Sequence, residues 1–333
     1  MQKFDKKPGV VLLGLTALLL LSAAVSVCLG RYPISPREAA AILFSAGAAD
    51  GVQQSLLLYD RLPRIVLALL VGGCLSAAGA AYQSVFQNPM AAPDILGASS
   101  GAGFGAALAI LLGLGRSGVM GLAFAAGLGA VALVLCIGRR VRGKQGLGLI
   151  LAGIMVSSLA SSATSFLKLA ADPAEKLPAI TYWLMGSLNG RPWRELLPAA
   201  IPMALGLAGL MGLRWRVNLL TLDDAEARAM GVHVPRLRTA VVLCATLVTA
   251  ASVSVSGMIG WVGLVIPHLA RRLVGSNEQY LLPASALLGA SFLLWADDLA
   301  RVLFTAEIPV GILTALIGAP FFLSLMLGKG EQM

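Results

Sequence analysis

Charged residues are scarce in this chain: among 333 residues, 25 are Lys or Arg and 16 are Asp or Glu, which together make 12% of the sequence. Long stretches contain none, including residues 9–30, 65–93 and 196–213. A helix needs about 20 mostly apolar residues to cross about 30 Å of hydrocarbon. A soluble fold would interrupt such stretches with polar residues at helical or strand spacing. The scarcity of charge therefore excludes a soluble protein and predicts a helical protein that crosses a membrane many times.

The chain also has few residues for metal, redox or nucleic-acid chemistry. Its four cysteines lie in separate apolar stretches without CxxC spacing, so they are interpreted as packing residues, and no metal or cofactor site is expected. The net charge of +9 comes from basic residues that flank apolar segments, as the positive-inside rule requires. No basic patch alternates with aromatic residues, so nucleic acid is not an expected partner.

The sequence contains no ATP-binding motif. Its two Gly-Lys pairs, Gly143-Lys144 and Gly328-Lys329, are not followed by Ser or Thr and do not lie in a glycine-rich turn after a strand. If ATP drives this protein, a partner subunit must bind and hydrolyse it.

Ten apolar segments predict an all-α membrane protein with about ten transmembrane helices and one domain over residues 1–333. With the N-terminus in the cytoplasm, ten crossings place both termini inside, and 15 of the 25 basic residues then fall on the cytoplasmic side. Glycines at 257 and 260 separate the seventh and eighth segments. The ten segments are 9–30, 62–82, 94–113, 117–138, 146–168, 195–213, 236–256, 258–273, 281–300 and 308–327.

Two connections between the predicted helices are long, and both are expected outside the cytoplasm. Residues 31–61 join the first two helices, and residues 169–194 join the fifth and sixth, with a short helix expected near Ile180–Met185. Neither is long enough for a separate soluble domain.

The connection at residues 221–231 predicts a short cytoplasmic helix of about nine residues. Thr221 is expected to cap it, and Gly231 suits the left-handed conformation that ends a helix. These residues allow two interpretations: the segment is an ordinary connector, or it is a rigid peg that fits a groove on a cytoplasmic partner. Acidic side chains in the first turns match the helix dipole, and one basic side chain lies nearer the end; these residues are Asp223, Asp224, Glu226 and Arg228.

Two other function classes, a hydrolase and an ion-driven carrier, are alternatives to weigh against the sequence. The stretch Gly97-Ala98-Ser99-Ser100-Gly101 matches the G-x-S-x-G pattern of hydrolases, although close glycine packing explains it more simply. A secondary carrier driven by an ion gradient would place an acidic residue in mid-membrane. Asp297 is near a helix end instead, where Arg301 four residues later can pair with it.

Four blocks of the sequence resemble the membrane subunits of bacterial ABC importers for iron chelates, haem and vitamin B12, the FecCD-type permease family. They occur in family order along nearly the whole chain. The blocks are Arg61-Leu-Pro-Arg64 with Gly79 and Gln87 to Gly97; Trp183 to Leu188; Gly257 to His268 with Arg271; and Pro309 to Phe322.

The resemblance implies a type II ABC importer permease that works as a dimer, most simply a homodimer, in the bacterial inner or plasma membrane. Two cytoplasmic ATPase subunits and a periplasmic or lipid-anchored binding protein are the implied partners. Arg61, Arg64 and Arg301 match positions that face the binding protein. Asn88, Pro89 and Met90 match the inner gate. The segment 221–231, from Thr221 and Leu222 to Gly231, matches the helix that couples to the ATPase.

The implied function is ATP-driven import of a ferric siderophore or a similar metal chelate, such as haem or cobalamin. The implied pathway is lined largely by the fifth and tenth helices. The substrate is expected to depend on the binding protein more than on this chain. An ion-gradient-driven transporter is the alternative.

Overall fold

The computed structural model describes residues 7–44, 51–138, 140, 145–222, 224–303 and 307–327, and across these residues every regular element is helical. Asp223 and the side chain of Asp224, both in the predicted coupling helix, lie outside the described part of the chain. The helices, in chain order, are α1 Pro8–Cys28, α2 Pro36–Phe44, α3 Gly51–Leu56, α4 Leu62–Val85, α5 Ala98–Leu111, α6 Arg116–Gly138, α7 Gln145–Ala170, α8 Lys176–Met185, α9 Trp193–Val217, α10 Asp224–Ala229, α11 Val234–Ser256, α12 Val262–Val274, α13 Glu278–Val302 and α14 Val310–Leu327.

Each of the ten predicted apolar segments contains one helix of the structure. Among the described residues, seven helices are long and apolar enough to cross a membrane: α1, α4 with the turns before it, α6, α7, α9, α11 and α13. The other three predicted crossings correspond to α5, α12 and α14, which have 14, 13 and 18 residues. The break predicted between the seventh and eighth segments is confirmed, because α11 ends at Ser256 and α12 begins at Val262.

The centre of the bundle is the antiparallel pair α4 and α13. Both helices are mostly buried, and glycines let their backbones touch. A methyl group on Gly72 would overlap the carbonyl oxygen of Gly289, and one on Gly289 would overlap the side chain of Ser76. Small residues of this kind let helices approach closely in lipid, where packing rather than the hydrophobic effect holds helices together.

The long connection before α4 is ordered by helices that the sequence analysis did not assign. At the start of α2, the backbone N–H of Ser35 donates to Glu38 Oε2 at 2.8 Å, and the N–H of Glu38 donates to Ser35 Oγ at 3.3 Å. This reciprocal pair is a capping box, and with Pro36 it was readable from the sequence. The hydrogen bonds from Ser35 lower the pKa of the Glu38 carboxyl, since they favour its charged form. The short helix predicted in the second long connection is confirmed as α8.

Candidate functional site

At one end of the bundle, hereafter the arginine end, Arg64 is buried in a cluster of polar groups. Its guanidinium donates two hydrogen bonds to the Asp297 carboxylate, from Nε to Oδ2 at 2.8 Å and from Nη2 to Oδ1 at 2.9 Å. Its Nη1 also donates to Glu307 Oε2 at 3.0 Å and to Asn189 Oδ1 at 3.4 Å. A bidentate pair of this kind fixes both partners in orientation. Arg64 therefore joins the start of α4 to the end of α13 and to two connections.

Arg301 and Arg61 complete the cluster at the arginine end. Arg301 pairs with Asp298, lies 3.6 Å from Asp297, and donates to Ser26 Oγ at 3.0 Å. The pairing of Asp297 with Arg301, expected from their spacing, is confirmed. Arg61 donates to the carbonyl oxygens at the end of α1, those of Val27 (2.9 Å) and Cys28 (3.4 Å), and to that of Tyr32. Basic groups at a helix C-terminus satisfy carbonyls that have no partner within the helix.

The three arginines predicted to dock a binding protein thus lie together, but they are buried rather than displayed. Their partners are carboxylates and carbonyls of this same chain. In this conformation they hold α1, α4 and α13 in register. Direct contact with a binding protein stays a prediction, and it requires that these internal partners be exchanged for external ones.

At the opposite end, the predicted gate residues lie in the turn that joins α4 to α5, residues 86–97, hereafter the gate turn. Asn88 shapes it, because its Oδ1 accepts from the N–H of Met90 at 2.9 Å and its backbone carbonyl accepts from the N–H of Ala91 at 3.0 Å. Pro89 and Met90 follow at the tip, and the Met90 side chain is 46% exposed. An exposed apolar tip is suited to pack against another apolar group.

Gln87 connects the gate turn to the segment predicted to couple to an ATPase. Its side-chain Nε2 donates to the carbonyl oxygens of Leu220 at 3.0 Å and Leu222 at 2.9 Å. The backbone of Gln87 has φ of 48°, a left-handed conformation that is unfavourable for a residue with a side chain. That conformation turns the chain sharply after α4. The gate turn and the start of the coupling segment are therefore in direct contact.

The coupling segment, residues 221–231, differs from its prediction in two respects. Its helix α10 has six residues rather than about nine, and Thr221 does not cap it. Instead, Thr221 belongs to a 3-10 turn, Asn218–Thr221, in which its Oγ1 donates back to the carbonyl of Asn218 at 2.7 Å. Leu222 is extended, so the helix can begin only after it. The expected left-handed end is confirmed, since Gly231 has φ of 80°.

The 3-10 turn that leads into the coupling segment is anchored to α13 through Asn218. Asn218 Oδ1 accepts from the N–H of Glu278 at 2.8 Å, and its Nδ2 donates to Asn277 Oδ1 at 3.0 Å. Ser84 of α4 donates to the buried Glu278 carboxylate at 2.5 Å. The last turn of α4 and the start of α13 thus meet, and Asn218 bonds to the start of α13. On the exposed side of α10, Glu226 faces solvent and remains accessible to a partner.

Sequence reasoning missed the two amides that make these connections. Gln87 lies inside a block used for the family resemblance, but no role was assigned to it. Asn218 was not singled out at all. A polar residue directly beside a predicted gate is the one signal that could have pointed to Gln87.

The described residues give no support for the catalytic interpretation of Ser99. Ser99 lines a cavity of about 60 Å³ beside Asp94, and the described residues lining that cavity include no histidine to act as a general base. Among the described residues, no cluster of three or more His, Cys, Asp or Glu side chains could hold a metal ion.

Two curated relatives match most of the chain. It is 44% identical over 315 residues to the molybdate import system permease protein MolB of Haemophilus influenzae, covering 94% of each chain. It is also 44% identical over 271 residues to a probable iron chelatin transport system permease protein of Helicobacter pylori, covering 81% of this chain and 82% of the relative.

The fold of this chain also matches a solved structure of an ABC transporter. The fold superposes with a TM-score of 0.87 and 43% identity on an inward-facing conformation of a putative metal-chelate type ABC transporter, covering 96% of this chain and 99% of the other. Residues 18–328 match the model of the FecCD transport family. With the all-helical bundle and its apolar spans, these matches show that the chain belongs to the FecCD transport family of ABC importer permeases.

Proposed function

We propose that this chain is the permease subunit of an importer that carries a ferric siderophore, or a similar metal chelate such as haem or cobalamin, into the cytoplasm. Its membership of the FecCD family carries the proposal, and the family match extends over residues 18–328. The chain itself supplies the path, and it binds no cofactor. ATP is bound and hydrolysed by a partner ATPase.

The proposed assembly contains two copies of this chain, two ATPase subunits and a periplasmic or lipid-anchored binding protein. In the proposed orientation the arginine end faces outward, while the coupling segment and both termini face the cytoplasm. The path between the copies is lined largely by α7 and α14. Exposed apolar side chains on α7 support this arrangement, because they have no partner within the described part of one chain; they include Leu151, Ile154, Met155 and Leu159.

The proposed transport cycle links the two ends of the bundle. A loaded binding protein arrives at the arginine end, and ATP binding closes the two ATPases beneath the coupling segment. Movement of that segment reaches the gate turn through Gln87, whose side chain bonds to Leu220 and Leu222. Access then alternates between the two sides of the membrane. Apolar lining without fixed charges favours release of a large chelate.

Uptake into proteoliposomes that contain the permease, the ATPase and the binding protein tests this function. The panel is a ferric siderophore, haem, cobalamin and molybdate, each with ATP and with a non-hydrolysable analogue. We expect ATP-dependent accumulation of one metal chelate. Accumulation of molybdate alone would instead assign the oxyanion that names the Haemophilus relative. Uphill transport by the isolated permease on an ion gradient would refute the proposal.

The contact between α10 and an ATPase has its own test. Glu226 is exposed on α10, so Glu226→Arg reverses a charge that only a partner would meet. We expect weaker copurification of the ATPase with this variant. Glu175→Arg is the matched control, because Glu175 is also exposed but lies at the arginine end, before α8. Equal copurification of ATPase with both variants would refute the role of this helix face.

A further inference from the structure

A groove of about 220 Å³ opens between α6, α9 and α11, and none of its lining residues belongs to the two sites described above. Its lining is apolar over most of its length: Met120 and Phe124 from α6, Pro198 and Pro202 from α9, and Ala251 from α11. Gly121 lines the groove, and a methyl group at that position would meet nothing within 4 Å, so a larger side chain there would occupy the groove.

The groove opens onto a largely exposed surface of the chain. In α6 and α9, only 22% and 28% of the apolar stretch is buried within the chain, against 83% in the span that contains α4. An apolar groove on such a surface is covered by hydrocarbon in the membrane. The apolar groove therefore suits the acyl chain of a lipid. The polar groups at the mouth of the groove determine which lipid headgroup binds there.

The mouth of the groove, at the arginine end, carries an excess of positive charge. Glu195 is shared between Arg191, at 3.2 Å, and Arg116, at 3.8 Å. The guanidinium of Arg194 lines the groove and has no hydrogen bond or ion pair among the described residues. Arg116 is largely exposed, with 69% of its side chain accessible. One carboxylate thus pairs with two guanidinium groups, Arg116 also donates to the carbonyl of Gly190 at 3.1 Å, and Arg194 adds a third positive charge beside them.

We propose that this groove binds one phospholipid with an anionic headgroup, its acyl chain against Met120, Phe124 and Pro202 and its phosphate on Arg194 and Arg116. Guanidinium groups bind phosphate through charge-assisted, often bidentate hydrogen bonds. Each basic residue near the headgroups contributes about 1 kcal/mol toward anionic lipid, which is about fivefold in affinity. Two arginines therefore predict a preference of about thirtyfold over a zwitterionic lipid of equal chain length.

Native mass spectrometry of the purified permease measures this preference, with phosphatidylglycerol and phosphatidylcholine of matched chains as probes. We expect the wild type to retain one phosphatidylglycerol preferentially. Gly121→Leu fills the groove and should abolish that retention. Gly129→Leu is the matched control, because Gly129 is an exposed glycine on the same helix with nothing within 4 Å of its added methyl group. Both substitutions improve helix propensity, so neither is expected to unfold α6.

Two further measurements distinguish binding of the headgroup from binding of the acyl chain. Arg194→Gln should lower the preference for phosphatidylglycerol about fivefold while phosphatidylcholine binding stays unchanged. Glycerol phosphate, which carries the headgroup without a chain, should not compete. Competition by glycerol phosphate would show a simple anion site and overturn the proposal, as would equal retention in Gly121→Leu and Gly129→Leu. Displacement of the lipid by the binding protein alone would overturn the proposal and assign Arg116 and Arg194 to protein docking.

Discussion

Replacing Gln87 by glutamate should break the link between the gate turn and the coupling segment while leaving the size of the side chain almost unchanged. In the wild type, one amide nitrogen donates to the carbonyl oxygens of Leu220 and Leu222, at 3.0 and 2.9 Å. A carboxylate at this place has no proton to donate. It would face two carbonyl oxygens and be repelled by both.

The size of the effect follows from the two hydrogen bonds. A neutral hydrogen bond contributes about 0.5–1.5 kcal/mol net, so the pair contributes about 1–3 kcal/mol to holding the gate turn against the coupling segment. If that free energy couples the two elements, its loss changes their coupling by about 5- to 150-fold. The contact to Leu222 is exposed to solvent, so we expect the lower half of that range.

The assay is the ratio of substrate imported to ATP hydrolysed, measured in proteoliposomes with whichever panel substrate the wild type carries. We expect Gln87→Glu to keep most of the ATP hydrolysis and to lose most of the import. The matched control is Gln279→Glu, which adds the same charge at the same end of the bundle. The side-chain amide of Gln279 makes no hydrogen bond among the described residues, so its ratio should equal that of the wild type.

A second variant separates coupling from folding. Gln87→Gly removes the amide and also relieves the left-handed backbone strain at φ 48°, so it should fold as well as the wild type. It should nevertheless import less substrate for each ATP hydrolysed. A normal ratio in both Gln87→Glu and Gln87→Gly would show that the gate turn responds to the ATPase by another route and would refute the reasoning.

Three other experiments test the packing of α4 on α13, the docking of a binding protein and the absence of a catalytic role for Ser99. Gly72→Ala should lower the free energy of unfolding by about 1–3 kcal/mol, because the added methyl group overlaps a backbone carbonyl, whereas Gly129→Ala should not lower it; denaturant titration in detergent compares them. The pair Arg64→Gln with Asp297→Asn should stay folded, because the net charge of the cluster is unchanged, Arg301 keeps Asp298 and Glu307 is partly exposed, yet it should bind the binding protein more weakly; unchanged capture, measured by surface plasmon resonance, would end the docking prediction. Ser99→Ala should transport at the wild-type rate, and loss of transport with intact folding would revive a catalytic serine.

The spans were predictable because a membrane imposes a constraint that the sequence displays directly. Each apolar segment had to be mostly apolar, with its few charges near the ends, and each contains a helix in the structure. The short helices α5 and α12 show where that reasoning weakens. Gly97 and Trp261 turn the chain immediately before them with positive φ, and α12 also carries Arg271 and Arg272 in its last turn. Hydropathy alone does not reveal how much of such a segment is helical.

The partners of the polar residues were much less predictable, because they lie far away in the sequence. Arg64 and Asp297 are 233 residues apart, and only the antiparallel packing of α4 on α13 brings them together. An arginine at a helix end suggests an exposed anchor unless a distant carboxylate is known to face it. Thr221 was misassigned for a different, local reason: it ends the 3-10 turn Asn218–Thr221, and its hydroxyl donates to the carbonyl of Asn218 within that turn instead of capping α10.

The two candidate sites are joined by the same pair of helices. α4 begins beside Arg64 and ends beside Ser84, while α13 begins at Glu278 and ends beside Arg301. Between these ends, Gly72 and Gly289 hold the two backbones in contact, so one helix cannot slide past the other without a collision. Interiors packed this closely transmit displacement rather than absorb it. If a binding protein takes over the partners of the buried arginines, we expect the displacement to reach the helix ends that carry the gate turn and contact the coupling segment. Arginines displayed on the surface would lack this connection, because they would not be bonded to α13.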